Sequence, residues 1–201
     1  MAIKVANNQS LTAITALPAS VSGGAMTLLS TQTASSSATI SFTSNIDSTY
    51  KEYQIHRTDA HPATDSVYLQ FNGSIDTGSN YNVTKTTTFF RAAHDEADST
   101  TVFGYDTGED IAQGTGFQGL NVSIGNDNDH CGVGIITLYD PSNRTFVKHF
   151  TFRGVNPNAG DYIVDTFVGG YFNTASAIDA IQFKMASGNI DAGTFKLYGV
   201  S

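Results

Sequence analysis

The chain of 201 residues is 40% hydrophobic and only 14% charged, carries a formal net charge of −8, and contains one cysteine and no tryptophan. This composition supports one folded, strand-rich core and excludes a disordered chain, an intrachain disulfide and a zinc site built on cysteine pairs. The excess of acid opposes a polyphosphate partner, so nucleic-acid binding is not expected.

Residues 1–24 are small and weakly periodic, close on Ser22-Gly23-Gly24, and read as an extended N-terminal arm. Met1-Ala2-Ile3-Lys4-Val5 gives way at once to Asn7-Asn8-Gln9-Ser10, too soon for a signal core or a membrane span. Neither export nor membrane insertion is therefore expected, and the five Asn-x-Ser/Thr sequons are read as polar surface.

Residues 25–201 read as one antiparallel β-sandwich, jelly-roll-like, because short alternating segments recur between turn-forming clusters. Thr39–Thr43, Tyr53–Arg57 and Val67–Phe71 each place an apolar set on one side of a strand. Val83–Phe90, Thr101–Phe103, Ile135–Tyr139, Phe146–Phe152, Tyr162–Val168, Ile178–Met185 and Thr194–Tyr198 continue the pattern, giving about ten strands by period-two reading. Turns are expected at Phe71-Asn72-Gly73, Asp76-Thr77-Gly78, Asp140-Pro141-Ser142-Asn143 and Ser187-Gly188-Asn189. The glycine-rich, acidic stretch from Gly104 to Gly132 is expected to be a long surface loop or a pair of irregular short strands.

Motifs that resemble chemistry fail in context. Asp95-Glu96-Ala97-Asp98 spells a magnesium-holding acidic box, but no phosphate-binding Gly-x-x-x-x-Gly-Lys loop accompanies it, so a solvated turn is expected. Gly114-Thr115-Gly116-Phe117-Gln118-Gly119 matches a dinucleotide fingerprint without the following helix that would meet a pyrophosphate. The five histidines lack zinc-enzyme spacing, no Gly-x-Ser-x-Gly elbow occurs, and His130 and Cys131 are expected to point to opposite faces of a strand. No catalytic residue and no cofactor is assigned. Within Gly125–His130, Asp127 and Asp129 are the candidate calcium ligands, set against a plain Asn/Asp turn. For a sugar-binding surface the absence of Trp leaves tyrosine, and Tyr81 and Tyr105 in loop-like surroundings are the candidates.

Ser41–Tyr50, His61–Asp65, Thr88-Phe89-Phe90, Gly125–Asp129 and Thr145–Phe150 carry a resemblance that is fullest in Gly170-Tyr171-Phe172-Asn173-Thr174, Ala177–Met185 and Gly188–Gly199. Together they resemble a group of uncharacterised virion-type proteins of phages infecting marine and freshwater bacteria, cyanophages included. The resemblance implies a non-enzymatic particle component, assembled in the host cytoplasm and displayed on the virion. Its partners would be other capsid or tail proteins and copies of itself, with a trimer favoured because repeated weak contacts gain avidity. It leaves open capsid decoration against tail or fibre contact, and a host-glycan-binding module stands as the alternative. Residues 1–24 would then anchor the protein.

Overall fold

The computed structural model describes residues 25–201, so the arm expected at residues 1–24 lies outside the described residues. Twelve strands and no helix occur there: β1 (Met26–Ser37), β2 (Ile40–Phe42), β3 (Glu52–Pro62), β4 (Val67–Ser74), β5 (Lys85–Asp95), β6 (Thr101–Tyr105), β7 (Gln118–Ile124), β8 (Gly132–Tyr139), β9 (Lys148–Pro157), β10 (Tyr162–Phe172), β11 (Ala180–Met185) and β12 (Ile190–Val200). They form an eight-stranded sheet, ordered β1-β12-β3-β8-β9-β10-β5-β6, and a four-stranded sheet, ordered β2-β11-β4-β7. Every pairing is antiparallel.

The expected sandwich is therefore present, and its strand order has a clear internal logic. β1-β12-β3-β8 and β2-β11-β4-β7 reproduce the interleaved order of a jelly roll, in which successive strands pass from one sheet to the other. The hairpins β5–β6 and β9–β10 then pair with each other and with β8, extending one sheet of the roll well past its partner.

Alternation explains why these segments become strands. In β9, Lys148, Phe150, Phe152, Gly154 and Asn156 face inward while the residues between them face out. The core is dominated by phenylalanine: Phe71 of the small sheet meets Phe150 and Phe172 of the large sheet edge-on, at centroid distances of 5.0 and 6.1 Å, and Phe183 at 6.4 Å. Edge-to-face packing sets the positive ring edge against a negative ring face and adds to the area term. Gly73 permits this closeness, since a Cβ there would lie 2.9 Å from the Phe172 ring.

One local expectation is corrected, one is narrowed, and one strand is new. Asn72-Gly73 is no turn: both residues are buried within β4, and Asn72 donates from Nδ2 to the carbonyls of Tyr81 and Thr115. Of the two readings of Gly104–Gly132, the one with short strands is nearer: the stretch holds the end of β6 and all of β7, an irregularly paired edge strand of the small sheet whose Leu120, Val122 and Ile124 are buried in the core. β1, not singled out from sequence, is long but largely exposed, and its Ser/Thr content hides the alternation.

Buried charge marks the ends of the core. Lys85 is fully buried and donates from Nζ to the carbonyls of Val83 and Gly116; Lys148 does the same to Phe146 and Thr174. Arg57, also buried, donates from Nη2 to Asn121 and to the Val133 carbonyl at 2.9 Å, and lies 5.5 Å from the Phe152 ring centroid. None of these three cations forms a salt bridge among the described residues. Desolvation pushes Lys85 down to about 8 and Arg57 down to about 9.

Two outcomes follow from this packing. Phe71→Ala should cost about 3–5 kcal/mol in urea unfolding, because the small sheet cannot collapse onto the space left between two large rings. For Lys85, the unfolded chain holds the proton more tightly than the fold. Its charged state therefore penalises the native protein below pH 8, and stability rises with pH from about 8 towards 10.5. The stability difference between wild type and Lys85→Met should shift in favour of wild type between about pH 7.5 and about pH 10; a difference that stays flat would place the ammonium in water.

Candidate functional site

The most distinctive surface is the outer face of the large sheet. Register places His56, Ile135, Arg153, Phe167, Phe90 and Tyr105 in one row across five adjoining strand pairs, from β3 to β6. The next row runs Val133, Val155, Asp165, Ala92 and Phe103. Strands on this part of the sheet are apolar on both sides: in β10, Val164 and Val168 enter the core while Ile163 and Phe167 face outward. A strand covered on one side only would alternate with polar residues, so this pattern marks a second face with something to cover.

The side chains on this face are ordered by one another. Phe90 and Phe167 stack with centroids 4.9 Å apart and planes 3° from parallel, and Phe103 meets Phe90 edge-on at 6.4 Å. The Arg153 guanidinium lies 4.9 Å from the Phe167 centroid and binds both oxygens of Asp165, at 2.8 and 3.3 Å. That carboxylate raises the Arg153 pKa above its ordinary value. The fork thus holds the guanidinium over the ring. Beside it, a shallow apolar depression of about 390 Å³ lies among His56, Val133, Ile135, Arg153 and Val155.

Tyr105 belongs to this face. It is 52% exposed, and its hydroxyl donates to Asp110 Oδ2 at 2.6 Å, a bond that raises the phenol pKa. Tyr81 sits elsewhere, in the loop before β5, half-buried, with its hydroxyl packed against the Gly78 turn. The two tyrosines do not share a surface. Phe90, Phe103, Phe167 and Arg153 were not singled out from sequence; the usable signal was the presence of large apolar residues at both parities of β10.

A second feature is a polar cleft of about 420 Å³ where the loop after β7 meets β3 and β12, lined by Asp59, His61, Asp129, His130, Cys131 and Asp191. His130 and Cys131 therefore do not point to opposite faces of a strand. They lie in the turn before β8 and line the same cleft, because the Asp127–Cys131 loop closes on itself through His130 N–H donating to the Asp127 carbonyl at 2.8 Å. Burial, then the neighbouring Asp59 carboxylate 3.8 Å away, push the Cys131 thiol pKa up, the opposite of what a thiolate nucleophile needs. Asp127 is exposed at its side chain and accepts from His61 Nε2 through its carbonyl at 3.1 Å, while Asp129 lines the cleft. Among the described residues no group of three His, Cys, Asp or Glu side chains converges as metal ligands.

No family model, no curated protein and no solved structure matches the chain.

From the splayed acids of the cleft, adding EDTA should leave the thermal midpoint unchanged, within about 1 °C. A midpoint that falls on chelation and returns with calcium would assign Asp127 and Asp129 to a cation.

Proposed function

We propose that this chain is a non-enzymatic structural protein of a bacteriophage particle, displayed on the particle surface, and that it makes its contacts through the outer face of the large sheet. The observation that carries the reading is the apolar and aromatic surface itself. Phe103 is 81% exposed and Ile163, Ile135 and Val133 are each about two-fifths to one-half exposed, within a chain of net charge −8. A domain presents a large apolar and aromatic patch of this kind, broken only by the Arg153–Asp165 pair, when another surface is to cover it.

Three further points agree. Jelly rolls are the architecture of many capsid and lectin domains, though a fold alone does not fix a role. The resemblance along Gly170–Gly199 points to virion proteins. The acids of the polar cleft surround a thiol held protonated by burial, which suits a solvated surface better than bond-breaking.

Host-glycan binding is the second reading, favoured by one arrangement: the aromatic Tyr105 is hydrogen-bonded to the carboxylate of Asp110, which places a ring and an acceptor side by side. Binding of residues 25–201 to a glycan array, lost in Tyr105→Ala, would support it.

An antibody raised against residues 25–201 should label purified particles, and the chain should appear among their proteins by mass spectrometry. Abundance near that of the major capsid protein would indicate decoration, and tens of copies or fewer a tail or fibre position. A chain found in infected-cell lysate but absent from particles would overturn the proposal.

A further inference from the structure

A sheet edge exposes unpaired N–H and C=O groups, and soluble proteins blunt such edges by shortening, bulging, charging or covering them. Three of the four edges here are treated in that way. β1 is bulged between Leu28 and Ser30 and carries a left-handed residue at Ser36. β2 is only three residues long. β7 is covered by the β9–β10 turn: Ala159 N–H donates to the Ser123 carbonyl at 3.1 Å, and Asn156 Nδ2 to the Val122 carbonyl at 3.0 Å.

Among the described residues, β6 has no bulge, charge or cover. Thr101-Val102-Phe103-Gly104-Tyr105 contains no charge and no proline, pairs with β5 without a register shift, and has no strand on its other side among the described residues. Its hydrogen-bond parity follows from its neighbours. Asp106 N–H donates to the Phe89 carbonyl at 2.9 Å, and Asp95 N–H to the Thr100 carbonyl at 3.2 Å. Even-numbered positions therefore spend their backbone groups on β5, and Thr101, Phe103 and Tyr105 aim theirs into solvent.

We propose that β6 pairs with β6 of a second copy of this chain, antiparallel about a two-fold axis at Phe103, joining two large sheets into one. The strand fits itself in this register. Phe103 lies opposite Phe103 and Thr101 opposite Tyr105, so every outward N–H on both strands finds an outward carbonyl; a slip by two residues loses part of the set, and a slip by one faces the wrong parity. On the other side of the strand, Val102 lies opposite Gly104, where a Cβ would meet nothing within 4 Å, so the partner's valine has room.

Electrostatics permit the approach. Of the acids flanking the strand, Asp106 is paired with Arg91 at 3.4 Å, Asp110 accepts from the Tyr105 hydroxyl at 2.6 Å, and Asp98 lies 3.3 Å from His94 Nε2. The exposed aromatic face becomes continuous across the axis, since Phe103 and Phe90 of both copies would adjoin.

The test is sedimentation velocity on the full chain over a range of concentrations. Wild type should show a two-copy species that grows with concentration. Phe103→Pro removes one outward N–H and no bond to β5, and Phe103→Lys sets two ammonium groups face to face; both should sediment as monomers, with unchanged circular dichroism and at most a small drop in thermal midpoint. A wild type that stays monomeric or forms trimers would overturn the proposal, as would a dimer that survives both substitutions. Neither result depends on whether the chain is found in particles.

Discussion

Phe71 is the residue on which the larger sheet's extension rests. The four strands β1, β12, β3 and β8 would make a jelly-roll half without help, but β9, β10 and β5 have inward apolar faces that need cover. That cover is the small sheet, and the contact is made by Phe71 reaching Phe150 on β9 and Phe172 on β10. Gly73 and Gly170 allow the close approach, each leaving room for a ring where a Cβ would lie within 3 Å of it. Because interiors pack as densely as organic crystals, these rings fix the separation of the sheets.

The loops at the ends of the core depend on buried cations. Lys85 and Lys148 reach backbone carbonyls rather than acids, so each holds a connecting segment in place by charge-assisted hydrogen bonds while losing hydration energy. The lowered pKa of both lysines is the signature of that exchange, with desolvation as the first cause.

Stretches of strict alternation were legible in the sequence, as in Tyr53–Arg57 of β3, β9 and Thr194–Tyr198 of β12, because one face is core and the other is exposed. β7 was not. Its Leu120, Val122 and Ile124 alternate, but Gln118 and Asn121 are buried too, satisfied by Glu109 and Gly119 carbonyls and by Asn156, and single-sequence reading treats such residues as solvent-facing. Asn72 misleads for the same reason: Asn-Gly is a strong turn signal, overridden here by three carbonyl acceptors that only the fold supplies. Of the candidate surface, Tyr105 was visible as an aromatic in a polar stretch, whereas the Phe90–Phe167 stack depends on a register between β5 and β10 that joins residues 77 positions apart, beyond what local pattern can specify.

The extension also explains why the exposed features lie where they do. A jelly roll with equal sheets covers both of its inner faces and leaves ordinary polar outer ones. Adding β9, β10, β5 and β6 to one sheet alone carries the large sheet beyond its partner, until β6 is solvent-exposed along nearly its whole length. An exposed, uncharged aromatic strand is an aggregation hazard unless its pairing is directed. Here Arg153, locked over Phe167 by Asp165, interrupts the apolar surface in its middle and so limits indiscriminate stacking of whole faces. What remains open is the β6 edge and the rings beside it, a surface that selects partners by register.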